Sequence, residues 1–150
     1  MKNTFFDPMT LWLAGCLREG RRYAEEAHRE SAEERRMALH FVLLAADVAT
    51  RTWSADDAPC TPAPTWGHFD LAAWLAELRR EPDWGPDHQA AAVASLLGWF
   101  TFLHRRRLLS AEVAARHLCA LEHHVNEPLR RRGYRPRFRA LPASAQDLAA

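Results

Sequence analysis

Residues 90–103 read AAAVASLLGWFTFL, the longest apolar run of the chain. As a helix this run extends about 21 Å, which is shorter than the roughly 30 Å hydrocarbon layer of a bilayer. Apolar residues of the run share one broad helical face: Ala90, Val93, Leu96, Leu97, Phe100 and Leu103. The run therefore predicts a buried core helix that starts at Gly85-Pro86-Asp87 and continues into Arg105.

Before this run, two patterns predict long helices. Asp7-Pro8 is typical of a helix start, and apolar residues then recur at spacings of three and four to about His28. Gly20 lies on the same stripe, where a missing side chain allows another helix to approach closely. Ser31-Ala32-Glu33-Glu34 has the form of a capping box. The nearly all-apolar stretch 37–49 behind it predicts the most buried helix of the fold.

Two further helices complete the prediction. Leu71, Trp74, Leu75 and Leu78 indicate a short amphipathic helix that ends at Glu81-Pro82. Ser110 is a good N-cap for a fifth helix, which is expected to end before Pro128.

The whole pattern predicts an all-α fold of one domain over residues 1–150: a compact bundle of about five helices. No alternating β-branched run of strand length occurs in the first 125 residues. A Pro-rich loop is expected at 53–67 and a basic, partly extended segment at 128–142.

Cysteine usage bears on compartment. Cys16, Cys60 and Cys119 are far apart in the sequence, no CxxC occurs, and the first eight residues lack the layout of a secretion signal. These features favour a reducing cytoplasm and no membrane partner. Nineteen arginines against one lysine, with abundant Ala and Leu, are typical of a GC-rich genome and favour a bacterial or mobile-element source.

Arginine is concentrated in the last third of the chain. Residues 104–139 carry ten arginines against three glutamates, whereas the whole chain has a net charge of only +1. Arginine guanidinium groups bind carboxylates and phosphates in bidentate geometry. The candidate partner-binding residues are Arg105, Arg106, Arg107, Arg130, Arg131, Arg132, Tyr134, Arg135, Arg137, Phe138 and Arg139.

An extended backbone over residues 133–139 would separate two kinds of side chain. Successive side chains of a strand alternate, so Arg135, Arg137 and Arg139 would share one side and Tyr134 and Phe138 the other. The aromatic rings would then anchor the segment on the helices or stack on unpaired bases. The alternative is that the rings only hold the tail to the core while the arginines pair with acids of the chain itself, such as Glu25, Glu26, Glu33 and Glu34.

Three function classes follow from these residues. We favour a non-enzymatic adaptor, regulator or inhibitor that docks an acidic protein or a nucleoprotein through the arginines. A nucleic-acid-binding subunit is the first alternative, although the pI near 7.9 lies below the value above 9 typical of such domains. A metal- or thiol-dependent enzyme is the second. No catalytic residue, metal ligand set or cofactor is predicted, and the oligomeric state is left open.

The residues behind the enzyme alternative are few. Glu25 and His28 have the i, i+3 spacing of a di-iron ligand pair, but no second pair accompanies them. Cys119 and His123 share a helix face that should be solvated. Cys16 lies on a core stripe and Cys60 lies in the Pro-rich loop.

Polar residues on otherwise apolar helices have ordinary explanations as well. His117 and His124 flank the stripe of the fifth helix, where core packing is expected. His40 and Asp47, with Arg36 and Arg51, form a polar stripe that either lines a cleft or is the solvated edge of the second helix; we favour the solvated edge.

Six tryptophans are many for a chain of this length. Trp53 and Trp66 bracket the Pro-rich loop and form a secondary interface candidate, because tryptophan is enriched in binding hot spots. The alternative is that Trp12, Trp74 and Trp99 fill the bundle while Trp53, Trp66 and Trp84 close its ends.

Overall fold

The computed structural model describes residues 8–52, 64–82 and 85–131, with only the backbone of residues 52 and 125–131. Within those ranges it contains five α-helices, one 3₁₀ turn and no β-strand. The helices are α1 Pro8–Ala27, α2 Ala32–Thr52, α3 Leu71–Leu78, α4 Pro86–Arg105 and α5 Ala111–Arg131. The predicted all-α fold is confirmed.

The stripe predicted on α1 is its buried face. Cys16, Gly20, Tyr23 and Ala24 are buried and recur at intervals of one, three and four residues, as expected for one side of a helix. Proline occupies the first helical position, where a missing N–H removes no hydrogen bond.

A four-residue turn connects α1 to α2 and reverses the chain. The Ser31 hydroxyl accepts the N–H of Glu34 at 3.2 Å, which caps the start of α2. The Arg35 guanidinium donates to the carbonyl oxygens of His28 (3.0 Å) and Arg29 (2.7 Å), just beyond the end of α1. Both helix ends at this turn therefore have partners for backbone groups that the helices leave unpaired.

Gly20 allows α1 and α2 to pack closely, as its position on the stripe predicted. A Cβ atom built at Gly20 would lie 3.0 Å from Cδ1 of Leu39 and 3.4 Å from Cγ1 of Val42. The first separation is shorter than ordinary van der Waals contacts between carbon atoms, and the second lies at their lower limit. The absence of a side chain is therefore what permits this interhelical distance.

The prediction that α2 is the most buried helix is wrong. Nine residues of α4 are buried, including Trp99, Phe100 and Phe102. Most of the buried residues of α2 are alanines, and Met37 is 37% exposed. Large side chains need more surrounding atoms to cover them, so α4 with its aromatic residues contributes more to the core.

The end of the predicted Pro-rich loop is ordered by a 3₁₀ turn at Trp66–His68. The Thr65 hydroxyl accepts the N–H of Gly67 at 3.2 Å, and the backbone N–H of Thr65 donates to Nδ1 of His68 at 3.2 Å. Histidine thus takes the place of the usual Glu or Gln in a capping box. Residues 53–63 of that loop lie outside the described ranges.

α4 and α5 pack as an antiparallel pair. Near the start of α4, Gln89 contacts His124, and further along α4 Phe100 contacts His117. The later residue of α4 contacts the earlier residue of α5, so the two helices run in opposite directions. The end of α4 and the start of α5 are therefore adjacent.

The predicted end of the fifth helix is wrong, because α5 passes through Pro128 and ends at Arg131. Proline removes one backbone N–H, and it bends or breaks a helix without always ending it. Residues 128–131 are thus helical rather than part of an extended segment. The remainder of that predicted segment, residues 132–142, lies outside the described ranges.

Contacts group the chain into two compact units, residues 1–74 and 75–150. In the first unit the buried indole of Trp74 donates from Nε1 to the carbonyl oxygen of Phe41 at 3.2 Å. In the second unit α4 contributes the buried aromatic residues Trp99, Phe100 and Phe102. No helix of the described residues is long and apolar enough to cross a bilayer.

Candidate docking site at the corner between α4 and α5

The connection from α4 to α5, residues 104–110, is here called the arginine corner. The N–H of Leu108 donates to the carbonyl oxygen of Leu103 at 2.8 Å, and that of Arg107 donates to the carbonyl oxygen of His104 at 2.9 Å. This pair of bonds is the Schellman motif. In this motif the N–H groups of the two residues after the helix donate to carbonyl oxygens of its last turn, and the helix ends there. The motif fixes the backbone of the corner.

Arg107 occupies the left-handed position of this motif, with φ at 60°. Glycine normally takes this position, because a Cβ atom in the left-handed region contacts the following carbonyl oxygen and costs roughly 1–2 kcal/mol. Arginine here is therefore less favourable for folding than glycine would be. A residue that works against local stability is a candidate for a role outside folding.

The guanidinium groups of Arg105 and Arg106 both lie over the ring of Phe102. Their Cζ atoms are 5.9 Å and 5.3 Å from the ring centroid. The Phe102 ring in turn stacks on Trp99, with centroids 5.8 Å apart and an interplanar angle of 18°. Cation–π attraction at these distances holds exposed guanidiniums near a preferred position. The two arginines are therefore partly preorganised by a buried aromatic pair.

An open pocket of about 580 Å³ lies at the corner and is lined by six residues: His104, Arg105, Arg107, Leu108, Leu109 and Ser110. Two arginines and two leucines thus share one concave surface. No carboxylate belongs to the described lining. The side chains of Arg105 and Arg107 are solvent-exposed, and Leu108 is 51% exposed.

The start of α5 closes the corner. The Ser110 hydroxyl accepts the N–H of Val113 at 3.3 Å, so the predicted N-cap is confirmed. Nδ1 of His104 approaches the carbonyl oxygen of Leu109 at 3.4 Å across the connection. These contacts set the positions of the pocket residues relative to both helices.

The structure does not bring the described arginine clusters together. Arg105–Arg107 lie at the end of α4 beside the start of α5, whereas Arg130 and Arg131 lie in the last turn of α5. The 21 residues of α5 separate the two positions by about 30 Å. The other predicted partner-binding residues lie outside the described ranges: Arg132, Tyr134, Arg135, Arg137, Phe138 and Arg139.

Trp66 of the secondary interface candidate is buried, with 6% of its surface exposed. Its ring contacts Trp12 at 5.2 Å and Phe69 at 6.4 Å between centroids. Trp66 is therefore covered by other residues of the chain, whereas the sequence alternative placed it at an end of the bundle. Trp53 lies outside the described residues.

The thiols differ in exposure. Cys16 is buried, and burial raises the pKa of its thiol to about 12, whereas Cys119 is exposed. Cys119 and His123 both lie on the solvated face of α5, as predicted. No three His, Cys, Asp or Glu side chains among the described residues are grouped closely enough to hold one metal ion. Cys60 lies outside those ranges.

The histidines singled out from the sequence have several environments. His117 is buried, and its ring centroid is 4.9 Å from that of Phe100, which confirms the predicted core packing. The Gln89 amide donates from Nε2 to Nε2 of His124 at 2.8 Å. Partial burial, followed by the charges of Arg79 and His123, lowers the pKa of His124.

The remaining candidate polar residues lie on the first two helices and on the turn between them. His28 pairs with Glu34 at 3.1 Å rather than with Glu25, which is exposed. Arg36 and His40 are exposed, and Asp47 pairs with Arg51 one helical turn away. The polar stripe of α2 is thus a solvated edge, as favoured from the sequence.

Arg105–Arg107 were predicted as candidate binding residues from the sequence, whereas Phe102, His104 and Leu108 of the same corner were not. The available signal was the apolar pair Leu108-Leu109 between three arginines and an N-cap serine. Such a pair is unusual in a short polar connection. No sequence pattern indicated the left-handed backbone of Arg107, because residues 104–110 contain no glycine.

Comparison with known proteins adds no relative: no protein-family model, no curated protein and no solved structure matches this chain.

Proposed function

We propose that this chain is a non-enzymatic binding protein of the adaptor, regulator or inhibitor type, and that it docks an acidic protein surface through the arginine corner. The observation that carries the proposal is the placement of Arg107. It holds a backbone conformation that favours glycine, next to two other exposed arginines and an open pocket. The arginines of residues 130–139 are a separate, second contact in this proposal.

The chemistry of the corner suits carboxylate groups. Each guanidinium presents donors in a planar fork that matches the two oxygens of a carboxylate. Arg105 and Arg106 are held over Phe102, so less side-chain entropy is lost when a partner binds. Three adjacent cations also attract an acidic partner before contact and raise its association rate.

Helix-end electrostatics alone do not explain the three arginines. A cation in the last turn of a helix stabilises it by about 0.3–1 kcal/mol, and His104 and Arg105 already lie in the last turn of α4. Arg107 lies beyond that turn, in a conformation that opposes folding. Its charge therefore has a better explanation in binding than in helix stability.

Charge reversal tests the proposal directly. Fluorescence anisotropy of labelled poly-L-glutamate would be measured with the wild-type chain and with the variant Arg105→Glu/Arg106→Glu/Arg107→Glu. Hydrogen bonds to charged groups contribute roughly 1.5–3 kcal/mol each, so the affinity should fall by about 100-fold or more. The matched control Arg21→Glu/Arg29→Glu/Arg36→Glu changes three exposed arginines of residues 8–52 by the same charge. It should bind within a few fold of the wild type, and an equal loss in both variants would contradict the proposal.

The same measurement separates the two arginine clusters and the nucleic-acid alternative. Charge reversal of Arg131, Arg132, Arg135 and Arg137 reports the contribution of the second cluster. A single-stranded oligonucleotide of equal charge replaces poly-L-glutamate in a parallel titration. Tighter binding of the oligonucleotide, with an affinity that falls steeply as the salt concentration rises, would contradict the proposal and favour the nucleic-acid-binding alternative.

A further inference from the structure

We infer that the arginine corner recognises an acidic peptide segment in which carboxylates flank one large apolar side chain. This inference rests on the proposed function and makes the ligand more specific. Leu108 and Leu109 of the pocket receive the apolar side chain. Arg105, Arg106 and Arg107 bind the flanking carboxylates. The pocket lining combines both chemistries in one place.

The pocket is large enough to hold one side chain of a partner. A volume of about 580 Å³ falls within the roughly 300–1,000 Å³ that small-ligand sites occupy. It therefore accommodates one side chain with its adjoining peptide groups. The open form of the pocket leaves room for an extended chain to enter and leave.

Leu108 is the apolar part of the recognition surface. Three large hydrophobic residues are exposed in the described ranges, at Leu11, Met37 and Leu108. Of these three, Leu108 lines the open pocket together with Arg105 and Arg107. In a Schellman motif the residue at its position often packs on the last turn of the helix, but Leu108 remains 51% exposed. A partner side chain that covers Leu108 removes this apolar surface from water.

A purely phosphate ligand fits the corner less well. Phosphate is satisfied by the cations alone and gains nothing from Leu108 and Leu109. Single-stranded nucleic acid is commonly held by stacking its bases on aromatic rings. Phe102, the aromatic ring at the corner, is only 2% exposed and has guanidinium groups over it. The apolar ligand contact therefore favours a peptide.

Two labelled peptides test the inference. Glu-Glu-Leu-Glu-Glu and Glu-Glu-Ser-Glu-Glu carry equal charge and differ only in the central residue. The wild-type chain should bind the leucine peptide about tenfold more tightly, because a leucine side chain is transferred from water to the pocket. Leu108→Ser should lower the affinity for the leucine peptide to about that of the serine peptide. Leu11→Ser, an exposed leucine of α1, is the matched control and should retain the preference.

The outcomes distinguish this inference from the proposed function. If both peptides bind the wild type equally and both are lost on charge reversal of Arg105–Arg107, the docking function holds and the apolar specificity is wrong. If neither peptide responds to that charge reversal, the proposed function itself is wrong. Complete displacement of the leucine peptide by an oligonucleotide of equal charge would overturn the peptide in favour of a phosphate ligand. Circular dichroism of each variant confirms that the helices are intact.

Discussion

Arg107 combines an unfavourable backbone conformation with a charge to which we assign a role in the proposed binding function. Its φ of 60° lies in the region that L-amino acids other than glycine and asparagine rarely adopt. Within the described ranges it is the only non-glycine residue with a positive φ. The backbone of the corner would be more favourable with glycine at this position, whereas the proposed binding surface would lose a cation. The two effects can be measured separately.

The variant Arg107→Gly should therefore be more stable than the wild type and bind poly-L-glutamate more weakly. Relief of the left-handed strain should raise the free energy of unfolding by about 1 kcal/mol, which corresponds to about 3 °C in Tm. Urea denaturation and anisotropy measure the two effects. The control is Arg106→Gly, because Arg106 has φ at −87° and gains nothing from glycine. If both variants were destabilised to the same extent, the conformation of Arg107 would not oppose folding.

At the scale of helices, the two glycines of α1 have opposite roles. A Cβ atom at Gly20 would meet Leu39 at 3.0 Å, whereas one at Gly15 would come no nearer than 3.9 Å to the end of the Arg18 side chain. Gly20 is buried against α2, and Gly15 is half-buried. Both glycines lower helix propensity, but of the two only Gly20 lies where an added Cβ atom would press against side chains of α2.

Substitution of these glycines should change stability in opposite directions. Gly20→Val should lower the free energy of unfolding by about 1–3 kcal/mol, since two β-branched methyl groups cannot enter the α1–α2 contact without moving it. Gly15→Ala should raise it by up to about 1 kcal/mol through helix propensity. Urea denaturation of both variants checks the pair. A neutral effect of Gly20→Val would mean that α1 and α2 are less closely packed than the Gly20 geometry requires.

Helix starts were predictable because they have local chemical causes. Pro8, Ser31, Pro86 and Ser110 each mark the start of a helix in the sequence, and each helix begins at or next to that residue. Helix ends were less predictable. Pro128 indicated the end of α5, yet the backbone remains helical to Arg131, since the local effect of proline does not decide whether the following turns continue.

The wrong helix end at Pro128 also explains why the separation of the two arginine clusters was not predicted. With a helix that stops before Pro128, Arg130–Arg139 would form one basic segment that is free to lie beside Arg105–Arg107. With α5 continuing to Arg131, the two described clusters lie at opposite ends of a helix. Charge composition marks these arginines as candidates, but the distance between the two clusters depends on a helix boundary that composition does not encode.

At the scale of the molecule, the sequence predicts one domain, and a single domain of this size unfolds in one cooperative step. Cys16 reports on residues 1–74, because its thiol is buried with a pKa raised to about 12. In a Cys60→Ser/Cys119→Ser variant, Cys16 should therefore become reactive at the urea concentration where the helical circular dichroism signal is lost.

Exposed Cys119 provides the matched control for this measurement. In a Cys16→Ala/Cys60→Ser variant, Cys119 should react at every urea concentration, including none. Reaction of Cys16 at urea concentrations well below the loss of helical signal would show that residues 1–74 open separately. The prediction of one domain would then be wrong.

The length of α5 limits how many arginine clusters one acidic segment of a partner can contact in the proposed docking function. A ligand with a single short acidic segment can occupy only one end of this helix, because about 30 Å separates Arg105–Arg107 from the last turn at Arg131. A ligand with two acidic segments can occupy both ends if its linker spans that distance. Its second contact is then intramolecular, and its avidity depends on linker length rather than on additional charge.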